Sequence, residues 1–402
     1  YRTAIEINPD LAQAHSNLGN VLKEFGKLQE AELSYRKAIE INPDYAEVHS
    51  NLGNVLKEFG KLQEAELSYR KAIEINPDYA EAHSNCGAIL RDIGKLKEAE
   101  VSTRKAIELK PDYADAYYNL GIILRDIGKL KEAEISTRKA IELKPDYADA
   151  YSNLGNILKD LGKLEEAFDS YLKALDINPK NSNLYNLITR FLRDSDVSQL
   201  NKSKLKNILS LLLEKNDINH AELFNAFNFI YSKELINNLE KFDSDCSVIE
   251  LLINNKVMIN ALRKIIFSDL KLEEILTKVR RNICHRIAKN IEAINYSELR
   301  FITALGGQCF LNEYIYSLTE EENSSLSIII SRCKDIEPNE INISILSCYF
   351  PLHKLLDQIP SLRSFHSSNK SFTKLIELQI IEPLKEIELS KNIKKIGSIN
   401  DD

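Results

Sequence analysis

The 402-residue sequence has no CxxC pair, no G-x-G-x-x-G turn and no P-loop. The last two absences remove the usual nucleotide and dinucleotide fingerprints, and no cofactor is expected. Its six cysteines, at 86, 246, 284, 309, 333 and 348, follow no regular framework, which reads as free thiols in a reducing compartment. There is no excess of positive charge: the net charge is −7, which argues against a nucleic-acid partner. Long hydrophobic runs are also missing. The longest, around Leu211–Leu213, is far too short to span a bilayer, so no membrane association is expected. The chain begins at Tyr1, partway through a repeat, with no initiator methionine and no leader-like segment. Together these features predict a soluble, cytoplasmic chain that is a fragment.

Prolines supply the strongest positive signal. Pro9, Pro43, Pro77, Pro111, Pro145 and Pro179 stand 34 residues apart, and residues 49–79 repeat 15–45 without change. A period of this size marks a stacked solenoid of helix pairs. Five full units begin at Ala12, Ala46, Ala80, Ala114 and Ala148, after a partial one over residues 1–11. Asp10, Asp44, Asp78, Asp112 and Asp146 follow the prolines and are expected to cap the first helix of each unit; Gln13, Glu47 and Glu81 stand at capping-box spacing. Gly26, Gly60, Gly94, Gly128 and Gly162 are expected to end that helix in a left-handed conformation. His49, Leu52, Gly53 and Leu56 form one apolar stripe, and Leu62, Ala65, Tyr69 and Ala72 the facing one. Cys86 takes a leucine position and reads as core.

These residues resemble the tetratricopeptide repeat: His49, Leu52, Gly53, Leu56, Ala65, Tyr69, Ala72 and Pro77 fall at the family's spacing, with Thr103 and Thr137 departing at the tyrosine position. The resemblance implies an all-α superhelix over residues 1–181 whose first helices line a concave groove, and a non-catalytic role in holding an extended peptide or partner protein. One position is the same in every unit: Asn17, Asn51, Asn85, Asn119 and Asn153. Packed helices lie about 8–10 Å apart and an extended peptide rises about 3.3 Å per residue, so the ladder offers one amide for roughly every third peptide residue. An amide both donates and accepts, so it can pair with a backbone. The repeats are similar to those of O-linked N-acetylglucosamine transferase, where the resemblance implies that this ladder holds substrate peptides. The alternative is that the asparagines only solvate the inner face or brace neighbouring units.

Ser50, Lys57, Arg91 and Arg125 stand beside the ladder as further groove candidates. The mixed charges Lys23/Glu24, Lys57/Glu58, Arg91/Asp92, Arg125/Asp126 and Lys159/Asp160 otherwise read as a solvated face. Ser16, Ser50, Ser84, Tyr118 and Ser152 occupy the place where clamps for chaperone tails carry lysine, which disfavours that partner. His15, His49 and His83 lie one repeat apart, so convergence on a metal is not expected.

Residues 182–200 read as a degenerate sixth unit and hinge, with Thr189 in the glycine position; 201–390 as a second helical domain; and 391–402 as a linker-like tail. Leu272, Ile275, Leu276, Val279, Ile283 and Ile287 share a helical face. Residues 299–318 read as a long buried helix with Gly306-Gly307 as its kink point, and Thr319 with Glu322 as a capping box. Lys278, Arg280, Arg281, His285, Arg286 and Lys289 read as a solvated basic face, Cys284 and Cys309 as buried thiols, and Asn312-Glu313-Tyr314 as either a polar network or a site. The run 303–322 and the closing run 387–402 resemble the helical segment that joins such repeats to a methyltransferase domain in bacterial proteins. That resemblance implies an alternative role, the recruiting part of a larger S-adenosylmethionine-dependent methyltransferase, or less so of a glycosyltransferase, with no catalytic residue in this chain.

Overall fold

A computed structural model describes residues 1–232, 250, 252–267, 269–290, 294–312 and 318–397. Among the described residues the chain is helical, without strands. It divides into two compact units, Tyr1–Leu184 and Tyr185–Asp402.

The first unit is the repeat array. After α1 (Arg2–Ile7) come five helix pairs: α2 (Ala12–Glu24) with α3 (Leu28–Ile41), α4 (Ala46–Glu58) with α5 (Leu62–Ile75), α6 (Ala80–Asp92) with α7 (Leu96–Leu109), α8 (Ala114–Ile127) with α9 (Leu130–Leu143), and α10 (Ala148–Asp160) with α11 (Leu164–Ile177). Each first helix stops where expected. Gly26, Gly60, Gly94, Gly128 and Gly162 have φ between +71° and +89°, and the following lysine N–H closes back onto the helix, as Lys61 N does on Leu56 O at 2.9 Å.

The start of each first helix differs from expectation. The N-cap of α4 is Tyr45, with no side-chain cap bond. Asp44 does not cap; its own N–H is held by Asn42 Oδ1 at 3.3 Å, and Asp10 and Asp78 are held likewise by Asn8 and Asn76. At these three junctions the asparagine before the proline fixes the turn, and the aspartate is its third residue. The histidine of the first helix adds a second brace: His15, His49 and His83 Nε2 lie 2.9–3.0 Å from the carbonyls of Pro9, Pro43 and Pro77.

Leu52, Leu56, Ala65, Tyr69, Ala72 and Cys86 are buried as the periodicity predicts. Gly53 has a more specific partner than the small Ala65. A Cβ placed there would sit 2.7 Å from the Tyr69 ring, so the glycine makes room for an aromatic ring. Val48 and Val55, outside the expected stripe, are fully buried, because each first helix packs against its own second helix and against the preceding unit.

The second unit begins within α12 (Ser182–Asp194) and continues through α13 (Lys202–Glu214), α14 (Phe224–Phe227), α15 (Lys256–Lys264), α16 (Leu270–Lys289), α17 (Tyr296–Leu311), α18 (Glu320–Asp335), α19 (Glu340–Leu346), α20 (Lys370–Ile376) and α21 (Glu382–Gly397). Leu272, Leu276, Val279, Ile283 and Ile287 bury one face of α16. Thr319 and Glu322 form the expected capping box. The helix α17 ends at Leu311 rather than 318, runs through both glycines, and residues 313–317, including Glu313 and Tyr314, lie outside the described residues. Gly306 permits close packing: a Cβ there would lie 1.9 Å from Ser347 Oγ. The stretch from 391, expected as a linker, is helical to Gly397.

The basic face of α16 is not solvated at its centre. Arg280 is buried, pairs with Glu322 at 3.2 Å and lies 4.2 Å from the Tyr349 ring centre. Arg281 and Arg286 pair with Glu322 and Glu298 at 3.0 and 2.6 Å. Cys284 and Cys309 are buried free thiols. Asn312, the described part of the polar cluster, donates to Glu273 at 3.2 Å.

Candidate peptide-binding groove

Consecutive first helices, α2, α4, α6, α8 and α10, approach one another more closely than consecutive second helices do. The side of a stack on which neighbours crowd is the inside of its curve, so the first helices line the concave face.

The five asparagines of the ladder lie on those helices, half-buried except Asn153, which is buried. Four of them reach across the seam between units. Asn51 Nδ2 donates to Asn20 Oδ1 at 3.2 Å, and Asn85 Nδ2 to Asn54 Oδ1 at 3.4 Å. Asn119 donates to Ser84 Oγ at 3.1 Å and Asn153 to Thr137 Oγ1 at 3.3 Å. Asn17, in the first full unit, accepts from Gln13 at 3.0 Å. An amide nitrogen carries two N–H donors, and each of these bonds uses one. Asn51, Asn85 and Asn119 therefore brace their neighbours through one donor each, and these bonds leave the second donor and the carbonyl oxygen unused.

The residues that receive these bonds, Asn20 and Asn54, escaped the sequence reading. They also accept from the tyrosine hydroxyls of their own units, Tyr35 at 2.7 Å and Tyr69 at 2.8 Å, and Asn156 does the same for Tyr171 at 2.9 Å. Burial, first of all, pushes Tyr35 up to about 12 and Tyr69 higher still, so the hydroxyls remain donors. The signal was present in the sequence. Where the tyrosine becomes Thr103 or Thr137, the asparagine becomes Ala88 or Ile122. That paired loss explains why Asn119 and Asn153 turn to other acceptors.

The remaining candidates separate. Ser50 is fully buried in the seam, 0% exposed, and presents no atom to the groove surface. Lys57 is exposed. Arg91 lies 3.9 Å from Asp126 and Arg125 2.6 Å from Asp160, each on the next unit, as Lys23 lies 3.9 Å from Glu58. The mixed charges are thus a second inter-unit brace, not merely a solvated face. Among the described residues no three His, Cys, Asp or Glu side chains gather as a metal site would require, and no helix is long and apolar enough to cross a membrane.

Family models for the TPR repeat match residues 19–60, 53–94 and 87–128, and tetratricopeptide repeat models match 1–32, 114–147 and 148–181. Among solved structures, the chain is 28% identical to YrrB, a TPR protein described as having an unusual peptide-binding site, over 46% of this chain and 94% of that one, with a TM-score of 0.38. MamA is 28% identical over 41% of this chain and 96% of its own, with a TM-score of 0.37. A thermophilic TPR protein of Thermus thermophilus is 25% identical over 45% of this chain and 96% of its own, with a TM-score of 0.39. No curated protein matches the chain. Residues 1–181 are therefore an array of tetratricopeptide repeats.

Proposed function

We propose that the array is a scaffold holding an extended segment of a partner protein along its concave face, with the amides of Asn17, Asn51, Asn85, Asn119 and Asn153 pairing with the partner's backbone. The observation that carries this reading is the state of the ladder. Its amides are pre-positioned by seam bonds that consume only part of their hydrogen-bonding capacity. Preorganised donors and acceptors lower the ordering cost of binding. Lys57, Arg91 and Arg125 lie on the same first helices; the last two are held by acidic neighbours, so they tune the field of the face more than they clamp a carboxylate. No observation favours the alternative of a recruiting part of a methyltransferase or glycosyltransferase.

The test uses the full chain, an array of extended peptides of varied sequence, and the same peptides with N-methylated backbone amides. Wild type is expected to bind broadly and to lose N-methylated peptides. Changing Asn51, Asn85 and Asn119 to Ala removes about 0.5–1.5 kcal/mol per lost neutral bond. Equal binding of methylated and plain peptides, or unchanged binding by the triple variant, overturns the ladder.

A further inference from the structure

The second unit contains a cavity of about 480 Å³ that the sequence did not reveal. Its walls come from four separate stretches: 213–216 at the end of α13, 256–264 in α15, 303–311 in α17 and 370–378 from α20 onward. The charged lining is mostly cationic. Lys256, Arg263, Lys264, Lys370 and Lys374 stand against one carboxylate, Glu214, and Lys256 already pairs with that carboxylate at 2.5 Å. In a chain of net charge −7 this is a local reversal of sign, and a concavity lined by one sign of charge concentrates the opposite one.

Two residues in this wall bear on what it could hold. Arg263 Nη2 is buried and has no hydrogen-bond partner among the described residues. Burial, and the like charge of Arg300, disfavour its charged form, yet a guanidinium does not give up its proton in a protein. The guanidinium is thus a half-buried charge in the cavity wall, and an anion beside it would offset the cost of its burial. Gly307 is the second. A glycine in mid-helix weakens the helix and is explained when something packs against it, as Ser347 does against Gly306. Nothing lies within 4 Å of the Cβ position at Gly307; it faces the cavity, and its missing side chain keeps the space open.

Leu213, Leu311, Leu375 and Leu378 form the apolar part of the wall, and Asn216, Asn260, Thr303 and Ser371 its neutral polar part. Lys264 donates to Lys215 O at 2.6 Å and to Asn216 Oδ1 at 3.2 Å, so two of its three donors are placed by the fold. We propose that this cavity is a binding site for a small amphipathic anion, a phosphate or carboxylate head on a compact apolar body. Arg263, Lys264 and Lys374 hold the head, and the leucines hold the body. Arginine presents paired N–H groups that match the oxygens of either head group.

Calorimetric titration of the full chain with decyl phosphate, decanoate, decanol and inorganic phosphate, each below any micelle concentration, tests this. Decyl phosphate or decanoate is expected to bind one to one, decanol not to bind, and inorganic phosphate to bind far more weakly. Arg263→Gln should weaken the anions by about tenfold or more. Gly307→Leu should abolish binding with the far-UV circular dichroism unchanged. Decanol binding as tightly as its phosphate, inorganic phosphate binding as tightly as the alkyl ester, full affinity in Gly307→Leu, or no anion binding at all would each overturn the proposal.

Discussion

The hydroxyl of Tyr69 and the side chain of Asn54 meet at 2.8 Å, and the same Asn54 oxygen receives Asn85 from the next unit at 3.4 Å. One carbonyl oxygen thus ties the two helices of a unit to each other and that unit to its neighbour. Tyr69→Phe removes the intra-unit donor and should cost about 0.5–1.5 kcal/mol. In the third unit, where Thr103 and Ala88 stand in these places, Thr103→Tyr alone buries a hydroxyl without its acceptor. Adding Ala88→Asn should recover stability, with a coupling of about 0.5–3 kcal/mol in a double-mutant cycle by urea denaturation. Strict additivity would mean that the pair does not form.

Glycines of different surroundings should respond differently to alanine. Gly53→Ala drives a methyl against the Tyr69 ring, itself 1% exposed with no room to retreat, and should destabilise by about 1–3 kcal/mol. Gly307→Ala meets open space in a helical backbone and should be neutral or stabilising by about 0.5–1 kcal/mol. Thermal melts of the two variants measure the contrast, and a destabilised Gly307→Ala would contradict the open wall.

The second unit should depend on the ionisation of Glu322. Burial by itself raises the pKa of this carboxyl, but the Thr319 N–H, the Tyr349 hydroxyl, Arg280 and Arg281 together hold it below the ordinary value of 4.5. A depressed folded-state value means the stabilisation is fully present above the ordinary pKa and is lost as pH falls through the folded one. Acid titration of wild type should therefore show a loss of stability below about pH 4.5 that is reduced in Glu322→Gln. At neutral pH Glu322→Ala removes the carboxylate that faces the buried Arg280, at a cost of about 3–5 kcal/mol.

The outer face of the array should be sensitive to salt. Glu66 is bound by Arg70 of its own helix at 2.9 Å and by Lys95 of the next unit at 2.8 Å, and Glu32, Glu100 and Glu134 repeat the pattern. The Lys95 hydrogen bond, first of all, pulls the Glu66 carboxyl below its usual range. Exposed pairs are worth about 0.2–1 kcal/mol each and are screened at 1 M salt, where the Debye length is about 3 Å. The melting temperature of the array should fall with added sodium chloride, and a Glu66→Gln/Glu100→Gln variant should fall less. Equal slopes would remove these pairs from the account.

What the sequence made legible follows from how far apart the interacting residues lie. The proline period, the left-handed glycines and the apolar stripes are local and were readable. The asparagine ladder was visible as a column, but its partners Asn20 and Asn54 stand 31 residues back, inside positions that looked uncommitted. Ser50 read as a groove residue because the seam that buries it belongs to the stacking of units. Arg280 read as solvated because its carboxylate is 42 residues away. The cationic cavity is assembled from residues between 213 and 378, with no pattern along the chain to announce it.

The bond from Asn51 to Asn20 is repeated, with the same atoms, by the bond from Asn85 to Asn54. Excising residues 46–79, one 34-residue period, would bring Asn85 to Asn20 and leave the joint chemically unaltered. A deletion that is not a whole number of periods would break the register. Whole units can therefore be gained or lost by recombination within the coding sequence without a new interface having to evolve. The length of the inner face, and with it the span proposed for a partner segment, is then a copy-number trait, adjustable in steps of one unit.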